Sequence, residues 1–248
     1  MPSLPRSHNI VGRWVPSAGA TGFRLVDRVR SNHGTLTNMD PASDWVVSGG
    51  KGALDFDGVN DQIDLTVSVP LGTVHTTCAW IFPRGQATAF NFGGLCGQPS
   101  SLGNNQTASL YVSGANSTSI NAFGYSHHDA VVTASGLVLE NRWSFICSVR
   151  VGTKVDLYLN GNFQATGTLA QNNTFSPTVL GRRLDFAANY NGLLDDFIFF
   201  NTALTANEVA QVYRLGRGYG VFPEPDFDEG FAAAGFNRRR RLICGSNC

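Results

Sequence analysis

Apolar and polar residues alternate in short segments between residues 10 and 200, and glycine, asparagine or proline separates most neighbouring segments. In the clearest one, KVDLYLNGNFQATG, Val155, Leu157 and Leu159 share one face of a strand, and Asn160-Gly161 then forms a tight hairpin turn. The same pattern predicts strands over 10–15, 52–57, 61–66, 74–82, 107–113, 118–125, 129–134, 143–151, 178–183 and 192–200. Many short strands at this spacing indicate an all-β fold, a sandwich or jelly roll, rather than a parallel sheet with helices.

One short C-terminal α-helix is predicted after the last strand, in the segment LTANEVAQVYRLG. Thr205 and Glu208 have the spacing of a capping box, in which each residue satisfies a free backbone N–H of the other. Val209, Val212 and Tyr213 form its apolar stripe, and Gly216 can end the helix.

The segment NGLLDDFIFF, residues 191–200, carries two adjacent carboxylates at the start of an apolar run. Because strand residues alternate between faces, we expect Asp195 and Asp196 to point in opposite directions. Leu193, Phe197 and Phe199 would then share the face of Asp195, and Leu194, Ile198 and Phe200 that of Asp196. Both faces are apolar, so a buried carboxylate needs compensation from catalysis, a metal or hydrogen bonds.

Composition excludes several classes of protein. The formal net charge is zero, and no basic face is evident, so we expect no nucleic-acid partner except through one arginine run near the C-terminus. No apolar run approaches the roughly 20 residues that span a bilayer. The first residues, MPSLPRSHNIVGRW, lack the apolar stretch of a secretory signal peptide, so we expect either another route or a signal that has been removed.

The five cysteines do not have the spacing of a metal site. Cys78 and Cys147 lie among apolar residues at alternate strand positions, which favours small buried hydrophobic side chains. A bridge between Cys244 and Cys248 is conceivable, but the odd number of cysteines favours free thiols and a reducing compartment.

The order of these features resembles the laminin-G-like branch of the concanavalin A-like lectin and glucanase superfamily. NIVGRW is similar to the opening strand of that family, GALDFDGVNDQIDL to its next hairpin and RWSFICSVRVGTKVDLYLNG to its central hairpin. The closing segment, LGRRLDFAANYNGLLDDFIFFNTALTANEVAQVY, carries the most specific resemblance, a Gly-x-x-Asp-Asp strand followed by a threonine-capped helix. The resemblance implies two antiparallel sheets packed face to face, a fold often used for glycan binding or adhesion.

In related domains, an aspartate of the closing strand ties the first loop to the sandwich, sometimes through calcium. Carried over, the resemblance makes Asp195 or Asp196 a partner of the loop that contains Asp27 and Asn32, and these four residues form the candidate calcium site. That loop is shorter than the family pattern and contains Arg28 and Arg30, so an arginine can neutralise the aspartate instead. Both arrangements remain open, with hydrogen bonds or an arginine pair ahead of calcium.

Two groups of residues have the composition of a catalytic or metal site. Glu224, Asp226 and Glu229 match the Glu-x-Asp-x-x-Glu string of the superfamily's glucanases, but they follow the helix, and Pro223 and Pro225 interrupt any central strand there. His127 and His128 are adjacent in sequence, so in a strand they face opposite sides and rarely bind one ion. We therefore expect no enzyme activity.

Aromatic and amide side chains in predicted loops are the candidates for glycan contact, because rings stack on sugars and amides bond their hydroxyl groups. The same composition is ordinary for turns of a β-sandwich. The candidates are Asn104, Asn105, Tyr125, His127, His128, Phe186, Asn189 and Tyr190.

The C-terminal part reads as a tail, so we place an N-terminal arm at 1–9, the sandwich at 10–221 and the tail at 222–248. Acidic residues open the tail and an arginine run follows. The residues expected to anchor the tail to a protein assembly or to a second copy are Phe236, Arg238, Arg239, Arg240, Arg241, Leu242 and Ile243.

Together, the tail and the sandwich favour a non-catalytic display or decoration protein. We expect the tail to attach it to a larger assembly such as a virion, with glycan binding or adhesion by the sandwich. The virion surface or another assembly reached without a secretory signal is the expected location, with the cytoplasm or the exterior as the alternatives. The alternative function is a free carbohydrate-binding, lectin-like module, and a glycoside hydrolase is less favoured.

Overall fold

The alternating segments form antiparallel strands in the computed structural model, which describes residues 3–85, 92–98, 108–113, 122–127, 130–138, 140–183 and 188–216. The strands are β1 (Ile10–Trp14), β2 (Arg24–Leu25), β3 (Gly34–Thr37), β4 (Trp45–Ser48), β5 (Lys51–Asp57), β6 (Gln62–Leu65), β7 (Val74–Pro83), β8 (Phe92–Gly94), β9 (Cys96–Gly97), β10 (Ala108–Ser113), β11 (Phe123–His127), β12 (Ala130–Ala134), β13 (Ser144–Val151), β14 (Lys154–Leu159), β15 (Asn162–Thr168), β16 (Val179–Leu180), β17 (Arg182–Arg183), β18 (Ala188–Asn189) and β19 (Asn191–Phe200). Short 3-10 helices cover Ser7–Asn9 and Pro16–Ala18, and the α-helix α1 covers Ala206–Gly216.

The largest sheet has eight strands in the order β15-β14-β13-β7-β19-β5-β4, with β1 added beside β19. We call it the large sheet. Further sheets have the orders β2-β3-β6-β16-β9 and β12-β11-β10-β8, and β17 pairs with β18. All described strand pairs are antiparallel, which confirms the predicted all-β class.

The large sheet is covered on both faces. Its inner face packs against the smaller sheets through Trp14, Phe56, Phe197 and Phe199, whose side chains have no exposed surface. The outer face carries a second apolar cluster, formed from Cys78, Trp80, Phe145, Cys147, Ile198 and Phe200 of the sheet and from Leu204, Val209 and Val212 of the helical segment. Each buried aliphatic or aromatic side chain of this kind contributes roughly 1.5–3 kcal/mol.

The predicted hairpin and helix are confirmed at their ends. Asn160 and Gly161 both have positive φ angles, 50° and 80°, as a tight two-residue turn between β14 and β15 requires. The backbone N–H of Thr205 donates to Glu208 Oε2 at 2.8 Å, and the N–H of Glu208 donates to Thr205 Oγ1 at 3.3 Å, which completes the capping box. None of the described helices is long and apolar enough to cross a membrane.

A β-bulge in β19 corrects the predicted faces of this strand. Its first half, 191–194, pairs with β5, its second half, 197–200, pairs with β1, and the pairing with β7 shifts between Asp195 and Ile198. Asp196 has a φ of 44°, so the strand gains one residue there and the alternation changes phase. Leu194, rather than Leu193, therefore joins Phe197 in the inner cluster.

Candidate functional site

A polar cavity of about 390 Å³ opens near the start of β19. Its residues come from the loop before β4, the β5–β6 hairpin, the end of β7 and the first position of β19. We call this cavity the acidic cleft. It is lined by Asp44, Asp55, Asp57, Asp61, Arg84 and Asn191.

The strand pattern explains how these side chains meet. Asp55 and Asp57 are two residues apart in β5 and therefore share one face, opposite the buried Phe56. Asn191 pairs with Asp57 in the neighbouring strand, and its backbone carbonyl accepts the N–H of Arg84 at 3.0 Å. Asp61 closes the β5–β6 turn, since its carboxylate accepts the N–H of Asp57 at 2.9 Å.

Arg84 holds one wall of the acidic cleft. Its guanidinium donates to both carboxylate oxygens of Asp55 and, at 3.0 Å, to the backbone carbonyl of Phe56. The Asn191 side chain donates to the carbonyl of Gly85 at 2.8 Å. Arg84 directly follows β7 and Asn191 opens β19, and these two strands are paired, so the wall is formed before any ligand arrives.

The acidic cleft has an excess of negative charge, because four carboxylates face one guanidinium. Burial raises the pKa of Asp61 to about 6, and the neighbouring carboxylates of Asp57, Asp44 and Asp55 add to this rise, whereas the backbone N–H of Asp57 opposes it. A carboxyl group that titrates close to neutral pH can accept or donate a hydrogen bond.

The side chains of the acidic cleft supply both acceptors and donors of hydrogen bonds. Within the described ranges, no three histidine, cysteine or acidic side chains are grouped to hold a metal ion. Carboxylate oxygens accept hydrogen bonds, and the Arg84 and Asn191 side chains carry N–H donors at the same cavity. Both kinds of group converge on a small volume, as they do in sites for polar small molecules.

The predicted glycan residues do not form one site. Tyr125 and Tyr190 have no exposed surface and belong to the inner cluster, so their assignment to ligand-binding loops is wrong. Asn189 is also buried, and its side chain donates to the carbonyl of Val59. His127 lies in β11, but its side chain is outside the described set. Asn104, Asn105, His128 and Phe186 lie outside the described residues.

Asp27 organises the first loop through hydrogen bonds. Its Oδ1 accepts the backbone N–H groups of Arg13 and Val29, each at 3.0 Å, and its Oδ2 accepts those of Arg30 and Asn32 at 3.1 and 3.0 Å. The Asn32 side chain bonds the backbone of Val67 in both directions, at 2.8 and 2.9 Å. These contacts tie the loop into the sandwich without using Asp195 or Asp196.

The two aspartates of β19 pair with cations on the outer face of the large sheet. Asp196 accepts two hydrogen bonds from Arg13, at 2.7 and 2.9 Å, and Asp195 lies 2.6 Å from Lys51 Nζ and accepts the Ser17 N–H at 2.9 Å. Burial raises the pKa of Asp195 despite the opposing effect of Lys51. The expectation of opposite directions is wrong, because the bulge puts both carboxylates on one side.

An arginine pair was among the predicted alternatives, and the loop residues Arg28 and Arg30 were its expected donors. Arg13 of β1 supplies it, rather than Arg28 or Arg30 of the loop. The predicted tail anchor, Phe236, Arg238, Arg239, Arg240, Arg241, Leu242 and Ile243, lies outside the described residues, as do Glu224, Asp226 and Glu229.

The antiparallel layers, the closing strand and the capped helix define a lectin-like β-sandwich. The chain belongs to the concanavalin A-like lectin/glucanases superfamily, whose laminin G family model matches residues 56–210. This finding confirms the predicted family and jelly-roll fold. No curated protein sequence matches the chain at a significant level.

Several solved structures share the fold at low sequence identity. Domain 4 of AbnA, a GH43 extracellular arabinanase from Geobacillus stearothermophilus solved with arabinotriose, is 16% identical with a TM-score of 0.58, over 83% of this chain and 98% of that domain. Trypanosoma rangeli sialidase is 13% identical, with a TM-score of 0.60, over 89% of this chain and 35% of the sialidase. The binding domain of botulinum neurotoxin serotype G is 14% identical, with a TM-score of 0.59, over 84% of this chain and 51% of that domain.

Proposed function

We propose that the chain is a non-catalytic carbohydrate-binding module whose acidic cleft binds a neutral saccharide. The observation that carries the proposal is the acidic cleft itself, in which carboxylate acceptors and N–H donors line one cavity of about 390 Å³ on a lectin-like sandwich. The arabinanase domain, which has the same fold and was solved with arabinotriose, adds support by analogy.

The charge of the acidic cleft selects among saccharides. Four carboxylates against one guanidinium repel an anionic sugar such as sialic acid, so we expect an uncharged ligand. Hydroxyl groups can donate to Asp57 and Asp61 and accept from the N–H groups of this cleft. Hydrogen bonds to charged groups contribute about 1.5–3 kcal/mol each, so a few of them can account for a specific saccharide.

Asp57→Asn is expected to weaken saccharide binding about tenfold or more, because a carboxylate acceptor becomes an amide. A glycan array would identify the ligand, with arabinotriose as the first neutral probe and sialic acid as the anionic comparison. Calorimetric titration would then give the dissociation constants of the wild type and the variant. The saccharide in these titration mixtures should keep its original chain length, because the proposed module binds it without hydrolysing it.

Asp156→Asn is the matched control, since Asp156 is a partly exposed aspartate in β14, where it bonds Lys154 and Thr166. This change removes the same charge far from the acidic cleft and should leave affinity unchanged. Equal affinity of Asp57→Asn and wild type would reject this cleft as the site. An array without any bound glycan would reject carbohydrate binding itself.

We further propose that the tail, residues 222–248, attaches the sandwich to a larger assembly, of which a virion surface is one example. The support is the sequence, in which an acidic stretch precedes Arg238–Arg241 and the apolar pair Leu242 and Ile243. Arginine runs of this kind pair readily with carboxylates on a neighbouring subunit.

Deletion of residues 222–248 should leave a folded monomer, whereas the full chain should show a larger native mass by light scattering. A full-length variant with Gln at Arg238–Arg241 separates the arginine charge from the length of the tail, and we expect it to lose the larger mass as well. Identical masses for the full and the shortened chain would contradict attachment through the tail.

A further inference from the structure

Two buried thiols face each other across the centre of the large sheet. Cys78 of β7 and Cys147 of β13 are directly paired in the strand register, although 69 positions separate them in the sequence. Their sulfur atoms are 2.9 Å apart, and neither side chain has exposed surface. Both thiols are free in the structure.

Direct pairing of the two residues in neighbouring strands is compatible with a disulfide. Residues directly opposite in an antiparallel pair have Cα atoms about 4.5–5.5 Å apart, and disulfides form at about 4.4–6.8 Å. Bringing the sulfur atoms from 2.9 Å to a bond of about 2.05 Å therefore needs side-chain rotation and no change of strand pairing.

We propose that Cys78 and Cys147 form a cross-strand disulfide that joins β7 to β13, with a small-molecule disulfide such as oxidised glutathione as the oxidant. One cysteine thiolate attacks the oxidant and releases one small thiol, which leaves a mixed disulfide on the protein. The second thiolate attacks that mixed disulfide and releases the second small thiol. Two protein thiols are thus oxidised to one disulfide, and one small disulfide is reduced to two thiols.

Helix α1 covers Cys78 and Cys147 and so determines when they can be oxidised. Val209 and Val212 of α1 lie in the same outer-face cluster as the two cysteines, so the docked helix shields them. Burial raises the pKa of Cys78 well above its ordinary value, and the hydrogen bond to Cys147 adds to this rise. Cys78 is therefore a poor nucleophile, and neither side chain is accessible, while the helix is docked. Oxidation belongs to folding or to a transient undocking of α1.

Cys96 provides an internal comparison. It lies in the inner cluster, between the sheets, and burial raises its pKa to about 12. All three cysteines in the described residues are buried. Among them, only Cys78 and Cys147 have their sulfur atoms in direct contact.

The test is to refold the full chain with a mixture of oxidised and reduced glutathione, and in parallel with a reductant, followed by alkylation, trypsin digestion and mass spectrometry. We expect residues 52–84 linked to 143–150, at a mass lower by two hydrogen atoms than the sum of the free peptides. The Cys96 peptide should be fully alkylated in both samples. The closed loop should raise the Tm of the oxidised protein by about 10 °C.

Variants separate this disulfide from other oxidation. Cys78→Ala and Cys147→Ala should each remove the linked peptide and the rise in Tm, whereas Cys96→Ala should retain both. Full alkylation of Cys78 and Cys147 in the oxidised wild type would overturn the proposal, and so would a link from either one to another cysteine. The peptide analysis of the wild type decides the matter even where a variant fails to fold.

Discussion

Asp195→Ala should destabilise the protein by about 3–5 kcal/mol, because it leaves the Lys51 ammonium buried without its counter-ion. Lys51 Nζ and Asp195 Oδ2 are 2.6 Å apart, and both side chains have no exposed surface. The ammonium lies 4.9 Å from the ring centre of Trp80 and 5.7 Å from that of Trp143, so water has little access to a charge left behind. Urea unfolding at neutral pH measures the loss.

A double variant separates the pair's own contribution from the cost of an orphaned charge. Lys51→Met with Asp195→Leu removes both charges and fills their space with apolar groups, so we expect it to be more stable than Asp195→Ala. The matched control is Asp156→Ala, which breaks the largely exposed pair with Lys154 and should cost less than about 1 kcal/mol. If Asp195→Ala lowered the free energy of unfolding as little as the control does, the proposed burial of charge would be contradicted.

Asp27→Asn should cost about 3 kcal/mol, although the shape of the side chain barely changes. The carboxylate of Asp27 accepts four backbone N–H groups, two on each oxygen. An amide keeps one acceptor oxygen and turns an N–H group towards two of these donors, which leaves the buried donors unsatisfied. Thermal and urea unfolding measure the effect.

The same variant bears on the calcium hypothesis. All four donors occupy the oxygens that calcium would need, so we expect a chelator to leave the Tm of the wild type unchanged. Asp40→Asn, in an exposed loop where Oδ1 accepts the Ala42 N–H, is the control and should cost less than about 1 kcal/mol. A chelator that lowers the Tm of the wild type but not of Asp27→Asn would instead place calcium at this loop.

Much of the fold could be predicted because its signals are local. The Asn160-Gly161 turn and the Thr205 capping box depend on a few neighbouring residues, and both were predicted correctly. The two-residue strands β2 and β18 were not predicted, because two residues cannot show a period. The bulge at Asp195 and Asp196 was missed because both faces of β19 are apolar, so a change of phase leaves no trace in the pattern.

The candidate site could be predicted less well, because it depends on tertiary contacts. Tyr125 ends a predicted strand and Tyr190 lies in turn-like sequence, yet the inner core buries both side chains. The acidic cleft had one local signal, the spacing of Asp55, Asp57 and Asp61 in LDFDGVND. Asp44 and Arg84 join these residues only because β4 and β7 approach the same end of the sheet, and sequence spacing does not report that approach.

The bulge also bears on misfolding. Each half of β19 has apolar side chains on both faces, so hydrophobicity alone hardly distinguishes the native pairing from one displaced by a single residue. In a displaced strand, Asp195 and Asp196 would lose Lys51 and Arg13 and carry buried charges into an apolar layer. The two ion pairs thus disfavour a displaced alignment of β19. Replacement of these ion pairs by apolar residues should therefore increase aggregation during refolding, even where it stabilises the folded protein.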